Sequence, residues 1–552
     1  MENIREALTS AIKTEYGIDF EPDLTPAPAN IEADYSTNAP LKLAKTLHLS
    51  PQIIAESLAS HLAGTTVTAP GFLNFTVKDA DLAERVSALA NDFDRTIISR
   101  AYEGQTVICE FSDPNPFKVL HVGHLYTSIM GDAISRLYEY AGAKVIRANF
   151  GGDVGLHVAK TMYILQQKPA DSLTIDDIGC CYVEGTAAYE DDVGAKQEIT
   201  ALNKEIYRIN AENIHGTPLA DLYWRGRELS YEYFDDFYAS IGVKFDKYYP
   251  ESTVAALGLK TVKEHLRDGV YELSNGAVIF PGDRYGLHTR VFINREGVPT
   301  YEAKDVGLIF TKWQDYHFDR SVIITGSEQK DYMAVVLKSI EQYAPNLVRR
   351  TSHLTHGIVK LPGAVKMSSR KGNFLKAVDV IDLVKDALAS EYNSTDPTVA
   401  LAATKYAFLK YKMGGEIIFD PSESVKMTGN SGPYLLYAAV RARKIVASAS
   451  SANSVSQSKD AARTVTYNPY EKALALKLLA YQPTLTEAVT EMAPHKVATY
   501  LYELAQEFSR FYEHCQVVGS PEEAARLTLT RAYLSVITHG LQILGINIPE
   551  EM

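Results

Sequence analysis

A chain of 552 residues, 46% hydrophobic and 22% charged, is long enough for roughly three or four domains with sizeable cores, and that composition excludes wholesale disorder. A formal charge of −13 argues against indiscriminate nucleic-acid binding, which shows as excess Lys and Arg, while leaving room for a local basic track. Cys109, Cys180, Cys181 and Cys515 include no C-x-x-C pair, so neither a disulfide framework nor a zinc knuckle is indicated. Without a basic-then-apolar leader or an apolar run of about 20 residues, the expectation is a soluble, cytoplasmic protein with no membrane partner.

Residues 1–95 read as a small accessory domain of mixed helix and strand. Ile4–Tyr16 suits a helix, Pro22, Pro26 and Pro28 interrupt it, and Leu41–Leu62 is helix-favouring with Pro51 at a helix start. Ala69–Val77 alternates like a strand after a turn. From residue 96 the pattern is strand, helix, strand: Thr106–Phe111, His121–Gly142 and Lys144–Asn149, followed by the Gly-rich turn Gly151–Gly155. That alternation predicts a Rossmann-like parallel sheet with ligands at the carboxyl ends of its strands.

Pro114 and Pro116 stop the first strand just before the helix. A helix start there points unpaired N–H groups and a positive dipole at an anion, Gly123 permits close approach, and His121 and His124 can present two imidazoles. A His-x-x-His pair alone is more often packed or solvated than functional. The aromatic-rich helical stretch from Thr161 to about Pro250 reads as core, and strands resume at Ala277–Phe280, Arg290–Asn294 and Ser321–Thr325. Tyr301 and Asp305 share one face of a helix at i, i+4, and Gln329 follows a strand. The loop Lys366-Met-Ser-Ser-Arg-Lys371 offers cations and small hydroxyls to a polyphosphate, or is an ordinary basic surface loop. After Ala377 the chain turns helical. Lys405, Lys410, Lys412, Arg441, Arg443 and Lys444 form basic islands among tyrosines that could follow RNA or simply face solvent. Residues 453–552 carry eight Lys+Arg against eleven Asp+Glu, so RNA met there must be read by shape or by splayed bases.

A His-x-Gly-His helix start paired with a Lys-Met-Ser-Ser loop 242 residues on is far more specific than either half. The pair resembles the class I aminoacyl-tRNA synthetases and, along nearly the whole chain, their arginyl-tRNA synthetase family. The resemblance is carried by Glu110–His124, Lys366–Gly372, Gly429–Ala438, Asp34–Asn38, Ala69–Phe75 and the end of the chain from Ala524. It implies a tRNA-contacting domain over 1–95 and a class I catalytic domain over 96–376 with a connective insertion at about 161–300. A helical stem-contact region would cover 377–430, and an all-α anticodon-binding domain 431–552.

By the same resemblance the substrates are L-arginine, ATP with its Mg2+ (no dedicated protein metal site) and tRNA(Arg), and the enzyme is a monomer. Glu110 and Asp305 match guanidinium acceptors, with Tyr301 as pocket wall and hydroxyl partner. Asn115 and Gln329 match the holders of the α-amino and carboxylate groups. His121, Gly123, His124, Lys366, Met367, Ser368 and Ser369 match the ATP site. A second lysine usual in the class is Ser369 here, so Arg370, Lys371 or Lys118, just upstream of the histidine motif, is expected to supply the missing cation. Asp113 stands where a serine is usual, with only a local turn effect expected. Rival readings are a cysteinyl or glutamyl enzyme, which the scattered cysteines and acidic pocket do not suit, and a non-catalytic tRNA-binding relative.

Overall fold

The computed structural model describes residues 2–28, 30–168, 173–362, 375–450 and 465–552. They fall into two compact units: Ile98–Tyr437 with Leu485–Thr499 and Gly540–Met552, and Met1–Ile97 with Ala438–Thr484 and Tyr500–His539.

The first unit is built on a five-stranded sheet in the order Thr351–His356, Arg320–Gly326, Thr106–Glu110, Lys144–Gly151, Lys247–Pro250. All four pairings are parallel. Val107, Ile108 and Cys109 are fully buried, as befits the central strand of a sheet covered on both faces. The chain lays its next two strands on one side of Thr106–Glu110 and its last two on the other. The carboxyl end of that strand is therefore a topological switch point, where α/β sheets open a ligand crevice. Glu110 is the last residue of the strand, in register with Ile323 and Ala148.

Helices Glu251–Leu266 and Tyr301–Tyr316 pack backbone to backbone on this sheet. A Cβ at Gly258 would run into the Ala303 carbonyl, and one at Gly307 into the Val254 carbonyl. Only glycine allows that approach, and it sets the second helix close enough to present Asp305 to the crevice, with Lys304 and Lys312 buried behind it as partners of Glu251 and Glu110. Around the contact, Ile108, Ile146, Val306, Ile309 and Ile323 form a continuous core.

The strands Ala277–Phe280 and Arg290–Ile293 do not extend the parallel sheet; with Glu272–Ser274 they make a separate antiparallel one. The connections between them are short, and short connections make antiparallel neighbours whereas parallel pairing needs a long crossover. The Val359 strand is two residues, paired to Ile417–Ile418. Lys405 is no part of a basic surface. Helix Pro397–Leu409 is buried on nearly every side, and the Lys405 ammonium donates to the Gly545 carbonyl at 2.6 Å, with burial drawing its pKa down to about 8.

In the second unit an antiparallel sheet ordered Thr25–Pro26, Tyr35–Thr37, Phe72–Phe75, Thr65–Thr68 packs on helices Glu2–Tyr16, Ala39–Leu47 and Pro51–Ser60. Leu8, Ile12, Leu58, Leu73 and Phe75 fill its core, against which Leu476 also packs. Lys472 reaches Asp34 at 3.0 Å, so residues from both ends of the sequence share this unit. No described helix is long and apolar enough to cross a membrane.

Candidate active site

The crevice at the switch point is a cavity of about 470 Å3 lined by Glu110, Asn115, His121, Gly123, His124, Tyr301, Asp305 and Gln329 together. Eight residues spread over more than 200 positions of sequence thus meet in one place. Lys366, Met367, Ser368, Ser369, Arg370 and Lys371 lie outside the described residues. The chain just beyond them is tied to the histidine motif: Val122 N–H donates to the Leu375 carbonyl and Ala377 N–H to the Leu120 carbonyl, both at 3.0 Å.

Between strand and helix the backbone takes left-handed conformations at Ser112, Asp113 and Phe117 (φ 72°, 50° and 64°). Such residues are costly for non-glycine side chains, and neighbouring contacts hold them. Phe117 is fully buried, stacked on Tyr223, with its N–H donating to Ser230 Oγ at 3.0 Å. The turn aims Asn115 at the Gly-rich segment, whose Gly152 N–H donates to Asn115 Oδ1 at 2.8 Å. A Cβ at Gly152 would strike Asn115 Oδ1 and Glu251 Oε2. With its oxygen occupied, Asn115 has its amide N–H groups left to offer an acceptor such as a carboxylate.

The histidines cap their own helix. His121 Nδ1 accepts from Gly123 N–H and His124 Nδ1 from His121 N–H, each at 3.1 Å, and the rings stack 3.9 Å apart. Since both Nδ1 atoms are acceptors, each neutral ring carries its proton on Nε2 and has a donor to offer. Burial, reinforced by the Lys118 charge, pushes His121 down to about 4; burial and the neighbouring His121 push His124 well below the ordinary range. Both are therefore uncharged donors at neutral pH. Gly123 is required because a Cβ there would press on the His121 ring.

Opposite them stand the carboxyls. Glu110 Oε2 accepts from Lys312 Nζ at 2.5 Å, and Lys312, fully buried, also donates to Ser321 Oγ at 3.2 Å. Asp305 accepts from the Tyr332 hydroxyl. Burial, aided by Glu110 and Glu251, raises Asp305 to about 7 against the lowering effect of Tyr332. Glu251 and Lys304 form a buried ion pair, and Lys304 Nζ also donates to Tyr207 Oη at 2.9 Å. Tyr301 forms a wall, its ring 5.3 Å from Lys304 Nζ.

Lys118 is not brought into the lining. Its ammonium lies 4.5 Å from the centre of the Tyr182 ring. Asp113, expected to act on the turn alone, lines the cavity as well. Glu251, Tyr332 and Lys312 were not singled out from the sequence. Lys312 lies seven residues after Asp305 and so on the same helical face, a spacing that could have pointed to it; Glu251 stands at a strand end with no comparable signal.

Comparison with known proteins agrees along the chain. The family profile of class I (R) tRNA synthetase catalytic domains matches residues 86–416. The arginyl-tRNA synthetase N-terminal domain matches 2–77, and the DALR anticodon-binding domain 435–552. An arginine–tRNA ligase of Bdellovibrio bacteriovorus is 28% identical over 92% of this chain and 91% of its own length. One of Thermobifida fusca is 28% identical over 100% and 98%. In fold, the chain resembles the Thermus thermophilus arginyl-tRNA synthetase with a TM-score of 0.80 at 24% identity, covering both chains fully. The Plasmodium falciparum arginyl-tRNA synthetase follows at 0.77 and 19%, covering 100% of this chain and 99% of that one. With the catalytic profile spanning more than half of its length, the chain belongs to the class I arginyl-tRNA synthetases.

Proposed function

We propose that the chain activates L-arginine with ATP to arginyl-adenylate and transfers the arginyl group to the 3′ end of tRNA(Arg), releasing pyrophosphate and AMP. The observation that carries this reading is the division of one cavity into a carboxyl side and a histidine-capped helix start. Glu110 and Asp305 receive the guanidinium, whose planar fork of donors can pair with two carboxylates where a lysine ammonium presents a single point charge. Tyr301 closes the flat slot. Asn115, through its free amide N–H groups, and Gln329 hold the α-carboxylate and α-amino groups. His121 and His124 donate from Nε2 to the ATP phosphates at the positive end of the helix, beside Gly123.

The arginine carboxylate then attacks the α-phosphate in line, and the protein contributes positioning and charge neutralisation rather than a covalent intermediate. Lys366, Arg370 and Lys371 neutralise the departing pyrophosphate, and Met367, Ser368 and Ser369 complete the nucleotide site; Lys118 supplements them. Mg2+ arrives with the nucleotide. Residues 1–95 contact the tRNA elbow, 377–430 its stem and 431–552 its anticodon. The enzyme works as a cytoplasmic monomer.

An aminoacylation assay across a panel of amino acids tests the reading. Arginine alone should be charged, and ATP–pyrophosphate exchange should require arginine and respond to tRNA. Charging with a different amino acid overturns the substrate; exchange absent with and without tRNA favours a binding-only relative.

A further inference from the structure

The Asp113 carboxyl lines the cavity and has no role in the scheme above. Asp113 sits in the left-handed turn after the central strand. Its Oδ1 accepts the Phe150 N–H at 2.8 Å, while Oδ2 has no hydrogen-bond partner among the described residues. Glu110 and Asp305 are arranged alike. Lys312 holds one oxygen of Glu110, Tyr332 holds one oxygen of Asp305, and the second oxygen of each has no hydrogen-bond partner among the described residues. Three carboxyl groups on one cavity therefore each keep an acceptor in reserve.

Among the described residues the charges around Asp113 do not balance. Glu110 faces it from the strand end, Asp305 and Lys312 from helix Tyr301–Tyr316, and the Tyr238 hydroxyl, bonded to Ser112 Oγ, from helix Pro218–Ser240. Lys312 is the sole cation in that set, and Glu110 already takes it; the nearby Lys304 is engaged by Glu251. Burial, with Glu110 adding to it, drives the Asp113 carboxyl well above its usual range despite the Phe150 N–H. Buried like charges cannot all ionise, and such a group titrates as a whole rather than residue by residue. Arginine supplies what is missing, a guanidinium and an ammonium.

We infer that Asp113 is a third acceptor for the cationic groups of the substrate, and that without arginine the cavity keeps a proton between Asp113 and Asp305 which arginine displaces as it binds. The inference rests on arginine being the substrate. The only bond broken is the carboxyl O–H; its proton goes to solvent, and the guanidinium, far too basic to lose its own, takes its place beside the carboxylate. A carboxyl at this position makes arginine affinity in this chain more dependent on pH.

Calorimetric titration of arginine into the full-length enzyme, in two buffers of different ionisation enthalpy at about pH 7, counts the protons released. Aminoacylation supplies the second readout: the KM for arginine should climb as pH falls from about 8 to about 6, by up to about tenfold per pH unit for each proton displaced. Asp113→Asn keeps the acceptor for Phe150 and tolerates the left-handed backbone, so the turn survives. It should lower the proton count to about half or less and flatten the KM profile. Asp113→Ser should do the same and serves if the amide disturbs folding. Equal proton counts and equal KM slopes in wild type and variants overturn the inference while leaving arginine as the substrate. A wild-type enzyme that charges tRNA with another amino acid overturns the underlying reading, a result the proton count does not imitate.

Discussion

The two sides of the cavity meet burial in opposite ways. On the histidine side each ring spends one nitrogen on the backbone of its own helix, so the site is complete without a ligand and presents fixed, uncharged donors. On the carboxyl side, Glu110, Asp113 and Asp305 each have one oxygen held and one without a partner among the described residues, so the wall is finished only when a cation enters. Burial lowers the imidazoles and raises Asp113 and Asp305, which makes both sides less charged than their composition suggests. The difference is that the donors of the histidine side keep their form when an anion arrives, whereas the carboxyl wall must exchange protons with its ligand. Preorganisation is strong where the helix supplies the partner, and conditional where the substrate does.

The sharpest way to break this contrast is at Glu110. Glu110→Gln removes a guanidinium acceptor and also strands Lys312 in the core. Loss of one partner of a buried charge pair costs roughly 2–5 kcal/mol in binding, so kcat/KM for arginine should fall by about 30-fold to several thousand-fold. Thermal unfolding should show a further stability loss of roughly 3–5 kcal/mol from the unpaired Lys312. Asp305→Asn should match the kinetic loss without the stability loss, because its partner is an uncharged tyrosine hydroxyl. Equal melting temperatures for the two variants would show that Lys312 does not depend on Glu110.

On the other side, His121→Asn tests whether capping and nucleotide contact are separable. Asparagine is among the best N-cap residues, so stability should change by less than about 1 kcal/mol. The Nε2–H donor is lost, however, and kcat should fall by about 10²–10³-fold while the KM for arginine holds. Lys118→Ala should slow adenylate formation in single-turnover kinetics by about 10²-fold if that ammonium leaves Tyr182 to meet the pyrophosphate. A change within about twofold would confine Lys118 to its aromatic contact with Tyr182.

Much of this was legible in the residues. The alternation of apolar strand, proline turn and helix located the switch point, because a ligand-binding turn needs those residue types in that order. The i, i+4 spacing put Tyr301 and Asp305 on one helical face, the family resemblance assigned that face to the substrate, and both residues line the cavity. What stayed hidden depends on contacts distant in sequence. Lys312 is 202 positions from Glu110, and no local pattern says that a lysine in a helix will be buried as its partner. Lys405 misled for the complementary reason: basic residues among tyrosines look like a surface, but the carbonyl that neutralises this burial, Gly545, lies 140 positions away. Asp113 was read as a turn residue, which its left-handed backbone makes it. That the same turn points into the cavity follows only from where Phe150 receives it.

The smallest expected effect is the most discriminating, since it concerns pH alone. Asp305, raised to about 7, is largely protonated in the empty site below neutrality, and a neutral carboxyl attracts a guanidinium weakly. The KM for arginine should therefore rise as pH falls through 7, by at most about tenfold per unit for each group displaced. His121, lowered to about 4, does not change form over that range. At saturating arginine and ATP, kcat should accordingly vary by less than about twofold between pH 6 and pH 8, within the small residual titration of a group so far below neutrality. A kcat that instead rose toward pH 6 would mean that bound phosphates protonate the histidine pair, making that side, too, dependent on its ligand for charge. The contrast between a finished wall and an unfinished one would then reduce to a difference in which ligand binds first.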